Sequence, residues 1–213
     1  MNASARALGG GGWASVLGLV AGCAQGASPG ALEQVDVAVV GQNAPLGVDA
    51  PFAVGANVTL DFALVTPGVA AESLRLEAAR PEVMTLEGAT VTARSEGMTA
   101  LLVRADERVV DFLHLTAVAA DRLGLDRPER GPVAGRIQLL VGDEVRLSPV
   151  LYRGEERLLG ERPVTMEADG EVVTVLDEGL GAQRRVVART PGRTTLTATM
   201  AERTTTLELE VLP

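Results

Sequence analysis

The amino-acid sequence predicts an all-β protein: two tandem sandwiches behind an N-terminal export segment and a flexible tether. Three observations lead there. Apolar and polar residues alternate over short stretches such as NVTLDFAL (57–64), EVRLSPVLY (144–152) and TTLELEV (205–211). In the last, Leu207, Leu209 and Val211 fall on one face and Glu208 and Glu210 on the other, the period of a half-buried strand. The chain also repeats itself. VTARSEGMTALLVRADER (91–108) and VVARTPGRTTLTATMAER (186–203) share eight identities without a gap, where chance gives roughly one or two. Finally, Glu87-Gly88, Glu96-Gly97, Asp169-Gly170 and Pro191-Gly192 punctuate the chain at roughly the 8 to 12 residue spacing of a sandwich.

Composition sets limits on this reading. The 213 residues suffice for one large domain or two small ones. Apolar residues make up 46% and aromatics 2%, so the core has to be built from Val, Leu and Ala. The net charge is -9 and every cation is Arg, with Lys absent. That balance argues against nucleic acid, whose phosphates need a basic patch. One cysteine cannot close an internal disulfide, so burial and strand pairing must hold the fold.

Residues 1–22 have the form of a secretory signal: Arg6 supplies the positive start, and WASVLGLVA (13–21) the apolar stretch. The stretch is shorter than the ~20 residues of a transmembrane helix. It ends in Leu19-Val20-Ala21-Gly22-Cys23, which resembles the lipobox of bacterial lipoproteins. The resemblance implies cleavage before Cys23 and acylation of that residue, whose chains would hold the protein on a membrane. Ala24 stands where an Asp would retain an enterobacterial lipoprotein in the inner membrane, so the expected location is the outer membrane. Trp13, the only tryptophan, falls in the removed segment, and AQGASPGALEQ (24–34) completes a small, polar tether from 23 to 34.

The first sandwich is expected over 35–121 and the second over 135–213. Val54-Gly55-Ala56-Asn57-Val58-Thr59-Leu60 matches Val141-Gly142-Asp143-Glu144-Val145-Arg146-Leu147, and Glu82-Val83-Met84-Thr85 matches Glu171-Val172-Val173-Thr174. The offset grows from 87 to 89 to 95 residues, the last step lengthening one hairpin connection in the second copy. AAESLRLEAAR (70–80) has some helical character, but its match to the second copy makes Leu74 and Leu76 part of a strand. ADRLGLDRPERGPVAG (120–135) carries charge, Pro and Gly without a pattern, so 122–134 is expected to be a semi-stiff linker.

The order VGDEVRL, ADGEVVTVL, VVARTPGRTTLTATM, LELEVL resembles the bacterial Ig-like domain of group 2, and the first copy follows it with VGANVTL, ARPEVMTL and ATVTARSEGMTALLVR. Leu76 and Met166 stand where members of that family often carry a Trp. The resemblance covers about residues 35–213. It implies Ig-like sandwiches in a non-catalytic structural, adhesive or scaffolding protein of the cell envelope. The alternatives are an accessory subunit of a larger envelope or secretion complex, or a carbohydrate-binding module.

Chemistry-bearing residues are sparse. His114, the only histidine, lies among Phe112, Leu113 and Leu115 with no Ser or Cys arrangement around it. Glu82 and Glu171 occupy equivalent places, which favours a role at a strand start over a glycosidase pair. Asp177 and Glu178 could contribute to a calcium site, although a solvated loop suits them better. Neither a catalytic set, nor a metal site, nor a cofactor is expected. Phe52, Phe62 and Phe112 read as core, whereas Tyr152 could be an exposed platform. A protein or cell-surface partner would meet loops 153–162 or 177–185. The pair Leu158 and Leu159 within RGEERLLGER either lies open there or packs on the core.

Overall fold

The computed structural model describes residues 35–40, 46–64, 74–105, 108–128, 130–168, 170–177 and 181–213. The signal segment, Cys23, the tether and Glu178 lie outside the described residues. Eighteen strands occur among those described, and no helix.

The first sandwich holds β1 (Val35–Val39), β2 (Phe52–Ala53), β3 (Asn57–Leu64), β4 (Leu74–Ala78), β5 (Met84–Glu87), β6 (Thr90–Ala93), β7 (Gly97–Ala105) and β8 (Arg108–Val118). They form two sheets, ordered β1-β3-β6-β5 and β2-β8-β7-β4. Lettered from β1 as A, A′, B, C, D, E, F and G, these are the A-B-E-D and A′-G-F-C sheets of an Ig-type sandwich. The second sandwich repeats them with β9 (Arg122–Arg127), β11 (Arg136–Leu140), β12 (Glu144–Arg153), β14 (Val164–Ala168), β15 (Val173–Asp177), β16 (Arg184–Ala188), β17 (Gly192–Met200) and β18 (Arg203–Leu212). Its sheets run β9-β12-β16-β15 and β11-β18-β17-β14, while the short β10 (Gly131–Pro132) and β13 (Glu156–Arg157) extend the first of these through β9 and β12. In each copy the A′ strand runs parallel to the last strand, β2 with β8 and β11 with β18.

Alternation explains the cores. Along β7, Thr99, Leu101 and Val103 point inward, and along β17 Thr194, Leu196 and Ala198 do the same. One core gathers Val58, Leu60, Val91, Leu101, Leu113 and Leu115, the other Val145, Leu147, Val186, Leu196, Leu207 and Leu209. The repeat extends to single hydrogen bonds outside the ladders. Arg94 N–H donates to the Val83 carbonyl (2.7 Å) as Arg189 N–H does to that of Val172 (2.8 Å). Gly97 and Gly192 follow, at φ 144° and 156°, and a Cβ on either would meet the same neighbour, Val83 at 3.4 Å or Val172 at 3.0 Å. A bare Cα is what lets the chain cross there.

The expected linker is a strand instead. Residues 122–127 form β9, which pairs with β12 from Arg122↔Tyr152 to Asp126↔Ser148. Leu123, Gly124, Leu125 and Asp126 are all buried, which removes the alternation that would have revealed a strand. Asp126 tolerates burial because Tyr152 Oη donates to it at 2.6 Å and Arg157 lies 3.5 Å away.

Candidate functional site

The most elaborate arrangement of side chains lies where the sandwiches meet. The connection between β8 and β9 is short, and the chain after β13 crosses back to the first sandwich. There Leu159 N–H donates to the Pro51 carbonyl and its own carbonyl accepts from Ala53 N–H, both at 2.8 Å. Asn57 and Glu161 exchange two further backbone hydrogen bonds, of 3.0 and 2.8 Å. A segment of the second sandwich therefore adds to the strands of the first. Its Leu159 side chain is fully buried in the first sandwich's core, against the cluster that includes Phe52 and Val58. Leu158 joins a separate junction cluster with Ala53, Ala56, Ala120, Leu123, Leu151 and Met200.

Polar contacts lock the same place. Glu96 Oε1 accepts from Ala119 N–H at 2.8 Å and from Arg153 Nη1 at 2.7 Å, tying the β6–β7 turn to the connection and to β12. Asp121 accepts from Gly154 N–H (2.8 Å) and donates its own N–H to the Tyr152 carbonyl (2.9 Å). Arg203 donates to the Ala120 carbonyl. The Ala119 amide and then the Arg153 guanidinium hold the Glu96 carboxyl below the usual carboxylate range. A lowered folded-state pKa contributes stability above the ordinary value of 4.5 and loses it as pH falls through the folded value. Glu96→Gln is thus expected to flatten the acid limb of stability, read as urea midpoints between neutral pH and the range below 4.5; an unchanged limb would discount the contact.

The individual candidates separate widely. His114 is exposed on β8 and meets Phe112 edge-on, with ring centroids 5.2 Å apart. Phe112 consequently sits on the outer face, not in the core, because Asp111, Leu113 and Leu115 take the inward positions. Phe52 is fully buried and Phe62 half-buried against the same core. Glu82 and Glu171 are exposed just before β5 and β15, where their carbonyls accept hydroxyl hydrogen bonds from Ser95 and Thr190. Asp177 pairs with Arg184 at 3.1 Å.

Tyr152 is no sugar platform. It is 3% exposed, its hydroxyl is spent on Asp126, and Arg122 stacks over its ring 4.2 Å from the centroid. Burial first, then the Asp126 hydrogen bond, raises its pKa. Of the two expected contact loops, 153–162 is consumed by the junction: Leu158 and Leu159 are packed, and Leu159 packs in the core of the other sandwich. Among the described residues no group of three or more His, Cys, Asp or Glu is placed to hold a metal, and no helix is long and apolar enough to cross a membrane.

A cavity of about 620 Å³ lies elsewhere, beside β11 and the start of β12. Arg127, Arg130, Arg146 and Arg185 line it with Asp143 and Glu144. These residues come from separate segments, and no stretch of sequence showed them converging.

No protein-family model matches the chain, and no curated protein matches it. Among solved structures it is similar to domains 4 and 5 of the S-layer protein SbsC, at 16% identity and a TM-score of 0.34, over 83% of this chain and 99% of that one. It is also similar to the Escherichia coli adhesin FdeC (12%, TM-score 0.36, 86% and 65% of the two chains). A third similar structure is invasin, a bacterial integrin-binding protein (15%, TM-score 0.35, 86% and 41%). The present chain thus spans less than half of the invasin chain, and its assignment as an Ig-type fold rests on the strand order above.

Proposed function

We propose that the chain is a lipid-anchored protein of the bacterial cell envelope, held in the outer membrane through Cys23, whose two sandwiches act as a non-catalytic structural or adhesive unit. The observation that supports this most is the junction. Tandem domains move independently unless their interface is extensive and apolar. Here strand addition, the Leu159 side chain and the junction cluster interlock the two copies, which suits a piece that projects a binding surface away from its anchor. The anchor itself rests on the lipobox-like Leu19-Val20-Ala21-Gly22-Cys23.

Labelling growing cells with radioactive palmitate tests the anchor. Wild-type protein is expected to take up label and stay with membranes, while Cys23→Ala is unlabelled and released. Equal labelling of the two would sink the reading. Recovery of a single stoichiometric partner from solubilised membranes would favour an accessory subunit over a free adhesin.

A further inference from the structure

Both sandwiches carry the same slot, and among the described residues only the first is filled. In the first, residues 159–161 lie between β2 and the start of β3, bonded to Pro51, Ala53 and Asn57. The second sandwich rebuilds that frame. Leu139 faces Val211 across β11 and β18 as Phe52 faces Ala117 across β2 and β8. Gly142 N–H donates to the Ala188 carbonyl as Gly55 N–H does to that of Ala93. Ala188 N–H donates back to Asp143 as Ala93 N–H does to Ala56. Gln138, Leu139, Asp143 and Glu144 therefore stand where Pro51, Phe52, Ala56 and Asn57 stand. At that place the second sandwich has the open cavity of about 620 Å³, with no described segment bridging it.

The slot offers a strand edge and positive charge. β12 pairs with β16 over Glu144–Leu147, whereas β9 covers its other side only from Ser148 onward. An uncovered edge is a template for an extended chain. Four arginines line it, in a protein whose net charge is -9. The two acids there are engaged within the wall: Glu144 pairs with Arg185 at 3.1 Å, and Asp143 accepts from Leu140 N–H at 2.8 Å. Arg127 Nε is buried without a hydrogen-bond partner among the described residues. Leu140 N–H, the counterpart of the Ala53 donor, is thus already taken, so a guest would be held from the β12 side.

We propose that this slot receives an extended acidic segment of a partner protein, laid along the β12 edge at Glu144–Leu147, on the side where Glu161 pairs with Asn57 at the start of β3 in the first sandwich. Carboxylates of the guest meet Arg127 and Arg130, whose forked donors match that geometry. The proposal deepens the binding role above, on which it rests, by naming its surface and the chemistry of the partner.

The test uses the full chain, wild type and Cys23→Ala, purified in detergent. It is titrated with two fluorescein-labelled peptides, one alternating Glu with Val and Leu, the other Lys with the same residues. Saturable binding of the Glu peptide is expected, weakened roughly tenfold or more by Arg127→Glu or by the exposed Arg130→Glu. Arg80→Glu, on the first sandwich, should leave it unchanged. Thermal unfolding of each variant shows whether it is folded, and Arg130→Glu carries the test if Arg127→Glu is not. No binding of the Glu peptide, equal binding of both peptides, or indifference to Arg130→Glu overturns the proposal. So does a dimer in sedimentation, without peptide, that Arg130→Glu dissolves, since the slot would then belong to a second copy. The titration reads the same on Cys23→Ala, so failure of the anchor reading leaves it standing.

Discussion

Leu159→Ala is expected to destabilise the first sandwich, although the residue belongs to the second. The side chain is fully buried among Phe52, Val58 and their neighbours, and truncating a buried Leu costs about 2–5 kcal/mol. The cost should fall near the upper part of that range, because backbone hydrogen bonds to Pro51 and Ala53 hold the segment in place and prevent collapse onto the void. Hydrogen exchange distinguishes this from a local effect. Protection should fall in β2 and β3, and not mainly in β17 and β18, whose core Leu159 does not touch. Loss confined to the second sandwich would sink the account. Leu158→Ala provides the contrast: its side chain lies in the junction cluster, so it should loosen both sandwiches at their contact and leave each core intact.

Much of the fold was legible because the chain states it twice. The matched pairs Val58 and Val145, Ala93 and Ala188, Gly97 and Gly192 occupy the same places in the two copies, and the match also made a strand of Leu74–Ala78 against its helical look. The repeat was silent where the copies serve each other. β9 could not be seen because both its faces are covered, so its leucines do not alternate with polar residues. Leu158 and Leu159 stand out as apolar residues in a charged loop, but a repeat compares each copy with its sister and cannot show one copy entering the other. Tyr152 misled for a related reason. A lone Tyr after an apolar run looks exposed in the sequence, whereas Asp126, on β9, supplies the partner for its hydroxyl. The arginine slot depends on convergence of β9, β11, β12 and β16, a tertiary fact with no local signature.

Gly160→Ala should open the junction while leaving two folded sandwiches. Gly160 has φ +126°, a region that side chains rarely adopt, and a Cβ built on it would lie 2.3 Å from the Cβ of Ala56. The two terms are separable. The conformational term is of order 1–3 kcal/mol, and overpacking adds a similar amount, typically about 1–3 kcal/mol. Their sum is comparable to what the short pairing of Leu159 and Glu161 with the first sandwich can contribute, so the segment should leave rather than compress. Small-angle scattering is then expected to show a longer, more flexible particle, and calorimetry is expected to show two transitions for the variant and one for the wild type. Adding Ala56→Gly removes the clash but not the backbone strain, so the double variant should recover part of the coupling and fall short of the wild type. Full recovery would mean that φ at residue 160 is not strained; no recovery would mean that contact with Ala56 is not what places the segment. A single transition at the wild-type temperature in Gly160→Ala would show that the Glu96 and Arg203 contacts and the apolar junction cluster suffice to hold the sandwiches together, and that the added strand is incidental to the coupling.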